Sequence, residues 1–156
     1  MTQSNVATAT TRDDRTLVIT RAFNAPRALV FEAWTTPEHV SEWWDPSGRR
    51  LAACEIDLRP GGAFRFVHGG GAGHAFEGRY REIVPPSRLV FTTRTPTTSA
   101  DAVGTLSFTE HAGRTTLVMT IECQSKADRD VLLAMRIDAG TLKTLENLDA
   151  YLGRRA

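Results

Sequence analysis

Apolar residues alternate with polar ones along most of the chain and then switch, near its end, to a helical repeat. Over residues 16–24, Leu17, Ile19 and Phe23 take one face and Val18, Thr20 and Ala22 the other, which predicts a first strand. Ala25-Pro26 stops it, and Pro26 suits a first helical turn. Leu29, Val30, Ala33 and Trp34 give that short helix an apolar side. Thr36-Pro37 repeats the signal, with Thr36 as N-cap, for a brief second helix ending near Trp43-Trp44 and the turn cluster Asp45-Pro46-Ser47-Gly48. Six further strands are predicted at 51–59, 63–68, 75–84, 88–95, 102–110 and 114–123. Pro60-Gly61-Gly62, the glycine-rich segment 68–74, Pro85-Pro86, the loop 96–101 and His111-Ala112-Gly113 separate them. Phe64, Phe66 and His68 share a face, as do Phe76, Gly78 and Tyr80, then Leu106 and Phe108, then Leu117, Met119 and Ile121.

From Ser125 the spacing becomes helical. Val131, Met135, Leu142, Leu145, Leu148 and Leu152 recur at that period, with Arg129, Arg136, Lys143, Glu146 and Asn147 between them. Ser125 is a good N-cap, and Asp128 puts a carboxylate near the positive helix end. The pattern predicts one helix over 125–152, about 40 Å long. A stripe of that length needs a wide cover, and the antiparallel meander before it supplies one, an α+β arrangement with one sheet face under the helix. Gly140 costs about 1 kcal/mol against alanine in mid-helix. It admits two readings: close packing against a strand, or room for a ligand between helix and sheet.

The 156 residues fit a single domain, expected over 16–156 after a mobile Thr-, Ser- and Asp-rich tail at 1–15. Nineteen basic against eighteen acidic side chains form no broad basic field, so nucleic acid is not an expected partner. No apolar run approaches the ~20 residues of a membrane helix, and the first fifteen residues lack the apolar core of a secretory signal. Cys54 and Cys123 lie in strand-like runs, where cysteine acts as a small buried hydrophobe. Two cysteines make no disulfide framework, which points to a reducing cytoplasm.

Several motifs occur in order: Phe23-Asn24-Ala25-Pro26; Val30-Phe31-Glu32-Ala33-Trp34-Thr35; Trp43-Trp44-Asp45-Pro46; Asp57-Leu58-Arg59-Pro60-Gly61-Gly62; Gly78-Arg79-Tyr80-Arg81-Glu82; Arg88-Leu89-Val90-Phe91-Thr92; and Phe108-Thr109-Glu110. With them, from about Thr16 to Leu152, the chain resembles the activator-of-heat-shock-protein-90-ATPase homologue family, within the START-like helix-grip (SRPBCC) superfamily. That resemblance implies a curved antiparallel sheet gripping the C-terminal helix, with a cavity between them. It implies relatives that bind lipids, sterols or hormones, others that are polyketide cyclases or aromatases, and a eukaryotic namesake that regulates a chaperone through an additional N-terminal domain this chain is not expected to hold.

Trp43, Trp44, Phe64, Phe66, Phe76, Phe91, Phe108, Met119 and Met135 are core residues by default, but in a helix-grip fold the same face lines a pocket. With His68, Tyr80 and Gly140 they form the expected cavity wall. The first expectation is therefore a protein that binds a small hydrophobic or aromatic ligand. An enzyme of the cyclase or aromatase type is the alternative, with proton transfer resting on His68, His74, Tyr80 or Asp57. A chaperone-directed interaction module is the third reading and needs an exposed apolar patch of more than a few hundred Å². A homodimer is compatible with all three. No nucleophile or metal motif occurs, so the sequence assigns no catalytic residue and leaves enzymatic activity open, while no metal or cofactor is expected. His39 and His111 are expected in solvent. Asp57 and Arg59 are read as an ion pair fixing their hairpin, or as one residue at a cavity rim. Arg65, Glu77, Arg79, Arg81 and Glu82 are read mostly as a solvated sheet face.

Overall fold

Each alternating stretch is a strand, and all the strands join one antiparallel sheet. The computed structural model of this chain describes residues 8–69, 75–93 and 100–155, Arg155 by its backbone alone. Its elements are β1 (Thr8–Thr11), β2 (Thr16–Phe23), α1 (Arg27–Thr35), α2 (Pro37–Trp43), β3 (Ala53–Ile56), β4 (Ala63–Val67), β5 (Ala75–Val84), β6 (Arg88–Thr93), β7 (Ala102–His111), β8 (Arg114–Glu122), α3 (Lys126–Ala134) and α4 (Ile137–Arg155). The strand order is β1-β2-β8-β7-β6-β5-β4-β3. Residues 1–7, 70–74, 94–99 and 156 lie outside the described residues, and with them His74, the end of the strand predicted at 88–95 and most of the loop predicted at 96–101.

The structure departs from the predicted pattern in three places. Thr8–Thr11, expected within a tail, pair with Thr20–Leu17 as an edge strand. Their β-branched side chains suit a pleated edge, although no apolar alternation announces it. The strand predicted at 51–59 is only Ala53–Ile56, because Asp57 already begins the turn. Its N–H donates to the Ala63 carbonyl, and its own carbonyl accepts from Arg59. Gly62 passes so close that a Cβ there would sit 2.0 Å from the Asp57 carbonyl oxygen. Asp57 and Arg59 are exposed and paired at 2.9 Å, the hairpin-fixing arrangement.

The third departure is the long helix, which is two. Ser125 caps α3 as predicted, its hydroxyl accepting from the Asp128 N–H at 3.1 Å. After Ala134 the chain breaks at Met135 and Arg136, whose φ is +59°. That left-handed residue costs roughly 1–2 kcal/mol outside glycine. It re-phases the apolar stripe. Leu132 of α3 packs with Leu17, Ala102 and Cys123, while Ile137 opens a new stripe on α4. In one unbroken helix, positions 132 and 137 lie about 140° apart and could not both face the sheet.

Curvature has a local source as well. In β5 the register against β6 slips between Tyr80 and Glu82, leaving Arg81 as an extra residue that bends the strand. Under the bend, Leu145, Leu148, Tyr151 and Leu152 of α4 pack solidly with Ile19, Phe23, Leu106, Phe108 and Leu117 of the sheet. Helices α1 and α2 close this end through Val30, Phe31 and Val40.

One charge lies on this inward face. Arg21 is buried on β2 and pairs with Asp149 of α4 at 3.0 Å, and its Nε–H has no acceptor. Removing the carboxylate strands a buried guanidinium, so Asp149→Ala should cost about 2 kcal/mol in urea unfolding. The double variant Arg21→Met, Asp149→Ala should recover most of that loss. Equal midpoints for the single and double variants would show that Arg21 reaches water unaided.

Candidate ligand cavity

Beyond Leu145, towards the start of α4, the described residues do not fill the space between helix and sheet. On α4, Ile137, Gly140, Thr141 and Thr144 stand at i, i+3, i+4 and i+7, one stripe facing the sheet across a hollow of about 340 Å³. Asp128, Leu132, Met135 and Arg136 extend the wall along α3 and the helix break. The sheet supplies Phe76, Phe91, Thr93, Ala102, Gly104, Met119, Ile121 and Cys123, and Trp34, Trp44, Pro46 and His68 close one side. The volume sits at the small end of ligand pockets, and the wall is mainly apolar with a few polar groups, as such pockets are.

Two glycines shape it in opposite ways. A Cβ on Gly104 would meet the Phe91 ring at 2.4 Å, so glycine there lets the ring lie against the sheet as wall. A Cβ on Gly140 would meet nothing within 4 Å. The close-packing reading of Gly140 is therefore corrected: the glycine fronts open space.

The side closed by Trp44 is held by the Trp44-Asp45 turn. The Trp44 carbonyl accepts from the Thr144 hydroxyl, and the Asp45 carbonyl accepts from the Asn147 amide, each at 3.0 Å. The Asp45 carboxylate is only 6% exposed. It accepts from the Ser47 N–H at 2.9 Å, the Ser47 hydroxyl at 2.8 Å and the Gly69 N–H at 3.3 Å, and His68 Nδ1 lies 3.5 Å away. Burial pushes this carboxyl up, but the three donors outweigh it and hold the group below its ordinary value of 3.8. Trp44 itself stacks edge-on against Phe66 and tilts over Phe76 at 5.1 Å.

Of the twelve residues expected on the wall, Trp44, His68, Phe76, Phe91, Met119, Met135 and Gly140 are there. Five are not. Trp43 lies under α1, its Nε1–H donating to the Ala33 carbonyl. Phe64 covers Gly78, where a Cβ would stand 2.6 Å from its ring, and Phe66 and Tyr80 are buried with it. Phe108 packs edge-on against Phe31 at 5.5 Å in the solid half. Sequence reasoning missed Trp34, Gly104, Thr141 and Thr144. The threonines were accessible from Gly140, since one helical stripe carries all three.

Of the residues considered for proton transfer, the three that are described do not converge. His68 is at the cavity wall, Tyr80 is in the core with burial pushing its phenol up, and Asp57 is on the exposed hairpin. His74 is outside the described residues. Burial also raises the Cys123 thiol on the wall and pushes Cys54 up to about 11, so neither is a ready nucleophile. His39, expected in solvent, is 13% exposed. Its Nδ1 lies 2.6 Å from the Tyr151 hydroxyl and its Nε2 3.5 Å from Glu32, a link between α1, α2 and α4 away from the cavity. His111 is exposed as expected. Among the described residues no cluster of three or more His, Cys, Asp or Glu side chains forms. Nor is any helix among them long and apolar enough to cross a membrane.

A family model described as Activator of Hsp90 ATPase homolog 1-like protein matches residues 24–153. No curated protein matches the chain in sequence. Among solved structures, a Rhodobacter sphaeroides protein is 23% identical over 95% of this chain and 98% of its own, with a TM-score of 0.84. A Rhizobium leguminosarum protein is 29% identical over 95% and 97%, with a TM-score of 0.67. An HSP90 activator from Plasmodium falciparum is 21% identical over 89% and 96%, with a TM-score of 0.70.

The Asp45 web sets a pH test. Its folded-state pKa is depressed, so the ionised carboxylate stabilises the fold above 3.8, and that contribution is lost as pH falls through the lower folded-state value. Asp45→Asn should lower stability at pH 7 by about 1–3 kcal/mol. The gap to the parent protein should close as the pH drops below 3.8. A pH-independent gap in denaturant midpoints would contradict this role for the carboxylate.

Proposed function

The chain belongs to the Activator of Hsp90 ATPase homolog 1-like family, and from that premise we propose that it binds a small, mainly apolar ligand in the hollow between the sheet and the helix pair α3–α4. The observation that carries the reading is the change along α4. The helix passes from solid packing at Leu145, Leu148 and Leu152 to a stripe at Ile137, Gly140, Thr141 and Thr144 that faces open space. Trp44, Phe76 and Phe91 offer aromatic faces, and stacking on such a ring adds about 0.5–1.5 kcal/mol beyond the area buried. A flat aromatic body uses these walls better than a linear chain does.

A protein-interaction role finds less support. The large apolar side chains exposed among the described residues are Leu58, Val84 and Met135, and Met135 belongs to the cavity wall. The cyclase-type reading finds no converging acid and base among the described residues for its proton transfers.

Gly140→Leu separates cavity from fold. The new side chain meets no neighbour at its Cβ, and the helix gains about 1 kcal/mol of propensity, so the unfolding midpoint should hold or rise. Binding of the neutral dye N-phenyl-1-naphthylamine, followed by fluorescence, should weaken roughly tenfold or more. Undiminished binding by a folded variant would remove the hollow from consideration as the site.

A further inference from the structure

Resting on that reading, we infer that the ligand is a small anionic amphiphile: an aromatic or bulky hydrocarbon body inside the hollow, with a carboxylate or similar acidic head at Arg136.

Among the described residues, four titratable side chains line the cavity: His68, Cys123, Asp128 and Arg136. The Cys123 thiol stays neutral, because burial raises its pKa. His68 stands beside the buried Asp45 carboxylate, which already answers any charge on the ring. Asp128 is buried in the first turn of α3. Arg136 differs from all three. It is exposed, it sits where α3 gives way to α4, and its guanidinium has no carboxylate partner among the described residues. A permanent cation at the edge of an apolar hollow attracts a ligand whose one charged end stays wet while its body is desolvated.

The backbone agrees. Arg136 holds φ at +59°, where glycine or asparagine carries little penalty. An arginine accepts the strain there and presents its charge at the cavity edge rather than along a helix face. Met135, 46% exposed, sits next to it and lines the same wall, so the apolar surface begins at the cation. Asp128 lines the same wall near the start of α3. It lies eight residues before Arg136, about 12 Å away along α3. An acidic head is drawn to the exposed Arg136 end, leaving the body towards Trp44, Phe76 and Phe91.

Two dyes that differ by one sulfonate give the test: 8-anilinonaphthalene-1-sulfonate and its neutral counterpart N-phenyl-1-naphthylamine. They are titrated against the parent chain, Arg136→Gln and Arg136→Lys. The expected result is about a fivefold loss of sulfonate-dye affinity in Arg136→Gln, with Arg136→Lys close to the parent and the neutral dye the same for all three. Near 1 M salt, where screening acts within ~3 Å, the parent's advantage for the sulfonate dye should shrink towards nothing. Equal losses for both dyes, or unchanged sulfonate-dye binding in Arg136→Gln, would overturn the inference while leaving the ligand cavity standing. Failure of the parent chain to bind either dye would remove both.

Discussion

The hollow half of this protein depends on two hydrogen bonds to backbone carbonyls. Thr144 and Asn147 of α4 hold the carbonyls of Trp44 and Asp45, so the turn after α2 cannot swing away from the helix. Trp44 is thereby fixed as a wall against Phe66 and Phe76. The Asp45 carboxylate extends the tie to Ser47, Gly69 and His68, joining three chain segments around one buried charge. This cross-brace holds Trp44 between α4 and the aromatic side chains of the sheet. A buried carboxylate suits the task because its bonds are directional and costly to leave unmade.

Much of this was legible in the chain. Period-two runs marked the strands, the Ser125 cap marked the start of the C-terminal helices, and Thr36-Pro37 marked α2, although the Thr36 hydroxyl makes no capping bond. The break at Arg136 was hidden, because neither glycine nor proline stands there to signal it. The residue that did look like a signal, Gly140, lies within a regular helix. Edge strand β1 was hidden too: four small residues carry no alternation, and only pairing with β2 makes them a strand.

The site was legible by face but not by depth. Alternation places Phe64, Phe66, Tyr80 and Phe108 on the inward side together with Phe76, Phe91 and Met119, and the sequence alone treats them alike. What separates them is position along the helix axis, which follows from register and from where the filled layer ends. Glycine was the informative residue there. At 78 and 104 it makes room for the rings of Phe64 and Phe91, whereas at 140 a Cβ would meet no described residue.

Separating a filled end from an empty one has an evolutionary consequence. Side chains such as Ile137, Thr141 and Met119 border a void, so changing them alters what the void admits more than whether the chain folds. The frame rests on another set, from Ile19 and Phe23 to Leu148 and Leu152. In an architecture divided in this way, the residues around the void can change in small mutational steps without passing through an unfoldable intermediate. The superposition on the Rhodobacter sphaeroides protein, with a TM-score of 0.84 at 23% identity, shows how far the sequence can change while the scaffold stays the same.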